Sequence, residues 1–198
     1  MKHLVFESSQ RIAQPEFSAF VAERERRGER HHFELMQGRA VMNPSPGYPH
    51  GEVGSNVQLT IAAFVKQRGL GKVFDATQGF ELPSGDCVQP DHSFVSNQRW
   101  RAAEAPVSGD FLRLVPDLVV EVSTPGSASQ DRRVRKLIYE MNGVREYWLI
   151  DLSGLRMTVF LVRGQQFGSA RSIDIRERYA STVLAGLEFP LTDLFPAD

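Results

Sequence analysis

The chain has one cysteine, Cys87, in 198 residues. That excludes an intramolecular disulfide and any zinc site built on a cysteine cluster. It fits a reducing compartment, so a cytoplasmic location is the expectation. No apolar run approaches the roughly 18 residues of a membrane span, and no membrane partner is expected. The stretch Met1 to Gln10 has one Lys and no long apolar core, so it does not read as a secretory signal. Excess charge of one sign is missing too. The formal net charge is −1, whereas a strongly basic chain would by itself point to nucleic acid. A Gly-rich phosphate loop, a nucleophile elbow and a His-Glu-x-x-His motif are all absent. These absences argue against a nucleotide-dependent enzyme, a serine hydrolase and a zinc protease.

What is present suits a globular domain. Apolar residues make up 41% of the chain, enough for a core. Basic residues cluster twice, at Arg24, Arg26, Arg27, Arg30 and His31 and again at Arg132, Arg133, Arg135 and Lys136. Solvated helix faces explain such runs as readily as a partner does. A short helix is expected over Pro15–Glu25, with Phe17, Phe20 and Val21 on one side. Phe33 to Met42 reads as a hairpin turning at Gln37-Gly38, followed by a breaker-rich loop from Asn43 to Pro49. Val53, Val57, Ile61 and Phe64 recur at helical spacing within a helix from about His50 to Gln67, closed by Gly69 and Gly71. Lys72–Leu82 and Cys87–Ser96 read as strands around a Pro83–Asp86 turn, and Asn97–Asp110 as a loop. Leu114–Val122 contains the aliphatic run of a central strand. Ser127 or Ser129 could cap the helix that follows, which ends near Asn142 and Gly143. Glu146–Asp151 and Met157–Val162 are two further strands. The order predicts a mixed α/β domain with a central sheet and a crossover helix after its most buried strand.

The chemistry lies in Pro116-Asp-Leu-Val-Val-Glu-Val-Ser-Thr-Pro125. Strand side chains alternate faces, so Asp117, Val119, Glu121 and Ser123 share one face and Leu118, Val120 and Val122 the other. A carboxylate inside an aliphatic run is costly unless it is paired or binds a cation. From this stretch alone, a solvated sheet face or a structural ion pair explains Glu121 equally well. A second Pro-Asp, at Pro90-Asp91, opens another strand, although Asp91 taken alone reads more simply as a turn residue. Two carboxylates on adjacent strands near one sheet end make an oxygen site for a hard divalent cation such as Mg²⁺. Such a cation activates water and stabilises charge on a phosphoryl group.

Pro90-Asp91, the Pro116–Pro125 stretch, Asp131 to Tyr139 and Gly143-Val-Arg-Glu-Tyr-Trp-Leu-Ile-Asp151 together resemble the Uma2 family. This is a bacterial group of restriction endonuclease-like proteins within the PD-(D/E)xK nuclease superfamily. The resemblance extends to Phe33–Gly38, His50 and Leu184–Phe195. It implies a restriction-endonuclease-like central mixed β-sheet flanked by helices. Residues 1–30 then read as an N-terminal helical extension and 31–198 as a single nuclease-like domain. It also implies an endonuclease acting on DNA with Mg²⁺ or Mn²⁺, with Asp91 and Glu121 as the metal-binding and catalytic carboxylates. The superfamily's lysine two residues after the glutamate is replaced here by Ser123. In the Uma2 pattern the basic residue comes from the helix, which puts Arg135 in that place with Lys136 beside it.

Helix geometry separates the two basic candidates. Val134, Leu137, Ile138 and Met141 form the expected apolar stripe. At ~100° per residue, Arg135 lies on its edge, Asp131 shares that side, and Lys136 points toward solvent. Arginine stays protonated and cannot act as a general base, but it can hold a phosphate bidentately. A surface Asp131–Arg135 pair at i,i+4 is the bland alternative. His50, ahead of its helix, could meet a phosphate, and Glu34 could add a carboxylate, though an exposed loop histidine and an exposed strand residue are equally simple readings. His31-His32 reads as surface. Three function classes remain open from the sequence: a metal-dependent DNA endonuclease, for which a homodimer would supply the two sites that cutting two strands needs; a catalytically impaired nucleic-acid-binding or interaction protein on the same scaffold; and a structural or oligomerisation module. Asp91 and Glu121 far apart in the fold would favour the third over the first, and divalent-metal binding that disappears in Glu121→Ala argues against the second.

Overall fold

The structure, a computed structural model, describes residues 6–29, 32–42, 46–123 and 129–196. In chain order its elements are β1 (Phe6–Glu7), α1 (Gln14–Arg26), β2 (Phe33–Met36), β3 (Arg39–Met42), α2 (His50–Arg68), β4 (Gly71–Asp75), β5 (Phe80–Glu81), β6 (Cys87–Val88), β7 (His92–Ser96) and α3 (Asn97–Ala102). There follow β8 (Leu118–Ser123), α4 (Ser129–Met141), β9 (Glu146–Asp151), β10 (Arg156–Arg163), β11 (Gln166–Phe167), β12 (Arg171–Asp174), β13 (Arg178–Ala180), β14 (Glu188–Pro190) and a 3₁₀ turn, Leu191–Leu194. None of the described helices is long and apolar enough to cross a membrane.

The central sheet runs β11-β10-β9-β8-β7-β4, with β12 also on β10. It is mixed. β8 and β9 are parallel, joined through α4, and the other pairings are antiparallel. The alternation expected along β8 holds. Leu118, Val120 and Val122 pack with Val53, Val57, Ile61 and Val65 of α2. Val119 packs on the opposite side with Ile138 and Tyr139 of α4. A smaller sheet, β1-β3-β2-β6-β5, lies on that second side. Its strand β2 is buried on both faces. Phe33 and Leu35 meet Phe17 of α1, while Met36 joins the core under α4. Glu34 therefore points into the space between the two sheets, where an unpaired carboxylate would be expensive.

The hairpin turn at Gln37-Gly38 is present, with both residues at positive φ (51° and 79°) as a two-residue hairpin turn requires. The strand pair around Pro83–Asp86 is split between sheets: β5 pairs with β6, whereas β4 pairs with β7. Two expectations need correction. The stretch Asn97–Asp110 is not all loop. Ser96 Oγ accepts the Arg99 amide at 3.3 Å and starts α3. Arg99 is held there by Asp117 (3.2 Å) and by the carbonyls of Val115, Pro116 and Gly143. The α4 stripe is also rotated. Leu137 and Met141 are 46% and 72% exposed, and the buried face is Arg135, Ile138 and Tyr139. An apolar pattern mislocates this face because two of its members carry polar groups. The proposed cap Ser127 lies outside the described residues.

Glu146 carries the C-terminal segment. It is fully buried. Oε1 accepts Trp148 Nε1 (2.6 Å) and Tyr179 Oη (2.8 Å). Oε2 accepts Ser181 Oγ and the amides of Thr182 and Val183. Glu146→Ala strands several buried donors, each costing ~1–3 kcal/mol. Urea unfolding should show a loss of about 3 kcal/mol or more; a loss below ~1 kcal/mol would contradict this role.

Candidate metal centre

The β7–β8 register sets His92 opposite Val120 and Ser93 opposite Val119. Continued by one residue, it puts Asp91 opposite Glu121. Asp91 stands just before β7 rather than inside it. Asp91 Oδ2 accepts the amide of Val122, the residue after Glu121, at 2.7 Å. The same oxygen lies 3.3 Å from His50 Nε2. His50 is the first residue of α2, and α2 comes close to β7 at Gly54, where a Cβ would stand 3.2 Å from His92 Nε2.

Glu121 is held from α4. Its Oε1 accepts Tyr139 Oη at 2.5 Å and Arg135 Nη1 at 3.2 Å. Arg135 is buried and its three nitrogens all meet carboxylates. Nη1 is 2.9 Å from Glu34 Oε1, Nη2 meets Glu34 Oε2, and Nε is 3.4 Å from Asp131 Oδ2. Glu34 Oε1 also accepts the Gln89 amide at 2.8 Å. Glu121, Arg135, Glu34 and Asp131 are thus joined by ion pairs between the two sheets, and Asp91, paired with His50 from α2, stands beside Glu121 by strand register.

Lys136 is not part of it. One step of ~100° around α4 carries it away from Arg135. Its Nζ lies 3.4 Å from Glu140 Oε2 and over the rings of Phe160 and Phe167 (5.4 and 5.5 Å). The first basic cluster is likewise answered locally. Arg24 pairs with Glu29, and Arg26 and Arg27 with Glu23. His32 is exposed and bonds Gln89; Arg30 and His31 lie outside the described residues. Tyr139 is the member that sequence reasoning used only as a landmark. Its i,i+4 spacing from Arg135 was the signal that both reach the same carboxylate. Asp117, on the same strand face, is a structural acid. It accepts the Ser96 amide and pairs with Arg99 and Arg145.

The electrostatics are lopsided. Among the described residues three carboxylates, Glu34, Glu121 and Asp131, meet the one guanidinium of Arg135, and Asp91 pairs with His50. Burial raises Glu121, as do the charges of Asp91 and Glu34, and Arg135 and Tyr139 only partly offset them, so its carboxyl is pushed up to about 8. Burial also works against ionised Asp91, but the bond and charge of His50 and the Val122 amide outweigh it, and Asp91 lies below the ordinary carboxylate range. Burial and the charge of Glu121 push the Tyr139 phenol well up, so it remains a donor. Among the described residues, Asp91 Oδ1 and Glu121 Oε2 accept no hydrogen bond.

A divalent cation fits this donor set. Among the described residues no group of three or more His, Cys, Asp and Glu side chains is arranged to hold a metal. Two carboxylates with open oxygens suit Mg²⁺ or Mn²⁺, which keep water and use substrate oxygens for the remaining positions.

A mixed central sheet with a β8-α4-β9 crossover, flanked by helices and bearing two acids on neighbouring strands, defines the restriction-endonuclease-like fold class. The chain is similar, at 23% identity and a TM-score of 0.68, to a structure described as "a putative nuclease belonging to DUF820 from Anabaena variabilis ATCC 29413". The match covers 82% of this chain and 89% of that one. The family model for Uma2, described as "Putative restriction endonuclease", matches residues 16–192, and the chain belongs to that family. No curated protein matches it.

The raised carboxyl gives a pH test. Folded Glu121 keeps its proton up to about 8, whereas the ordinary value is 4.5. Its contribution to stability is therefore full below about 4.5 and is lost as pH rises through about 8. In chelator, the melting temperature of wild type should fall relative to Glu121→Gln between pH 5 and 8.5, because the amide cannot ionise. Other titrating groups largely cancel in this comparison. Parallel profiles for the two proteins would contradict the shift.

Proposed function

We propose that the protein is a divalent-metal-dependent endodeoxyribonuclease, with Asp91 and Glu121 holding Mg²⁺ or Mn²⁺. The observation that carries this reading is the placing of the two acids opposite each other by the β7–β8 register, each with one oxygen that accepts no hydrogen bond among the described residues. When bound, the cation would supply water activation and charge stabilisation on the phosphoryl group. The chain's own residues hold the acids. His50 and the Val122 amide fix Asp91, and Tyr139 and Arg135 fix Glu121. Arg135, engaged by three carboxylates, serves as a support for Glu121 rather than as a phosphate clamp. We further read residues 31–198 as the body of the nuclease-like domain, with β1 and α1 of the N-terminal extension packed onto it, and a homodimer as the form that cuts both strands, in the cytoplasm.

The second reading, a catalytically impaired DNA-binding protein, draws on Ser123 at the expected lysine position and on the full engagement of Arg135. Cleavage of plasmid DNA with Mg²⁺ or Mn²⁺ tests the first reading. Asp91→Ala and Glu121→Ala should each cost on the order of 10²–10³-fold. Equal rates in all three proteins would sink it. Calorimetric Mn²⁺ binding by wild type that vanishes in Glu121→Ala, with no cleavage of any DNA, would favour the second.

A further inference from the structure

We propose that Glu34 is a positioning residue whose carboxylate ties the segment carrying Asp91 and the side chain gripping Glu121 to one anchor, and so sets the spacing of the two metal carboxylates. This rests on reading Asp91 and Glu121 as the cation site. Glu34 comes from the smaller sheet, while Glu121 belongs to the central one and Asp91 directly precedes its strand β7. One side of the anchor is the Gln89 amide, two residues before Asp91, at 2.8 Å from Glu34 Oε1. The other is Arg135, gripped by both Glu34 oxygens and reaching Glu121 Oε1 at 3.2 Å through Nη1. Tyr139 takes the same Glu121 oxygen, so the support acts on Oε1 and leaves Oε2 open. The pair is well buried, with side-chain exposures of 9% for Arg135 and 6% for Glu34. Burial keeps water from loosening the fork, and the planar guanidinium holds its angle to the carboxylate.

Glu34 thus contributes to metal binding without touching the metal. Its negative charge offsets Arg135, which would otherwise compete with the cation for Glu121. A lysine at residue 135 could not reproduce the arrangement, because one ammonium cannot span the Glu34 fork, Glu121 and Asp131 together.

The test uses the full chain as wild type, Glu34→Gln, Arg135→Gln and the double variant, each checked for folding by circular dichroism. Should Glu34→Gln not fold, Glu34→Asp keeps the charge and withdraws it by one methylene, with the same outcomes at smaller amplitude. The first arm is amide NMR in chelator. The Val122 amide, which donates to Asp91, should move in Glu34→Gln, although it makes no contact with Glu34. An unmoved Val122 resonance would overturn the proposal. The second arm is Mn²⁺ affinity by calorimetry. Each single variant should bind about 10- to 100-fold more weakly. The double variant should be no weaker than the poorer single, because both act through one connection. Losses that multiply would make Glu34 an independent ligand and overturn the proposal. A wild type that binds no Mn²⁺ defeats the cation reading instead, and Val122 then decides alone whether Glu34 places Asp91.

Discussion

A guanidinium buried between two sheets needs its charge answered by carboxylates, since an uncompensated buried charge is among the costliest things a fold can contain. Arg135 meets that requirement with Glu34 from the smaller sheet, Glu121 from the central sheet and Asp131 from its own helix. The constraint therefore fixes more than one side chain. It rotates α4 so that Arg135 and Tyr139 face inward and Leu137 and Met141 face out. It docks the smaller sheet on the face of β8 that carries Glu121. It also fixes which oxygen of Glu121 is engaged and which is open.

The arginine is outnumbered by its acids, and that imbalance gives the cluster its character. A structural ion-pair network would match its charges. Here Glu121 is instead driven up to about 8 by burial and by neighbouring negative charge, while Asp91 is kept ionised by His50 and a backbone amide. Two acids in one cluster pushed in opposite directions are a recurrent sign of a site whose electrostatics await another charge. Glu146 shows the contrast. It is the more deeply buried of the two, yet both of its oxygens are filled by donors from Trp148, Tyr179, Ser181, Thr182 and Val183. One carboxylate is satisfied and structural; the other has an open oxygen and a charge deficit around it.

Much of this was legible in the sequence where a single periodicity governs. The strict alternation along β8 placed Glu121 opposite the α2-facing aliphatics, and a helix between two aliphatic strands identified the crossover. The second Pro-Asp pointed to Asp91 and the Uma2 resemblance gave it a role, whereas its place opposite Glu121 follows only from strand register. Legibility failed where polar residues lie inside. An apolar stripe is a poor guide to α4, because its inner face carries a guanidinium and a phenol. Glu34 looked like an ordinary exposed strand residue because nothing local records that a second sheet covers it. Its partner is 101 positions away in the chain. The short helix α3 escaped notice because it is held by one serine cap and one arginine rather than by an apolar face.

The central claim is that Asp91 and Glu121 form one cation site whose ligands are the oxygens not taken by the supporting residues. Anomalous diffraction from crystals soaked in Mn²⁺ tests it most directly. The account predicts a manganese peak ~2–2.6 Å from Asp91 Oδ1 and Glu121 Oε2, with Arg135 still paired to Glu34. A well-ordered site with no peak between these two oxygens, or manganese bound only elsewhere on the protein, would contradict it.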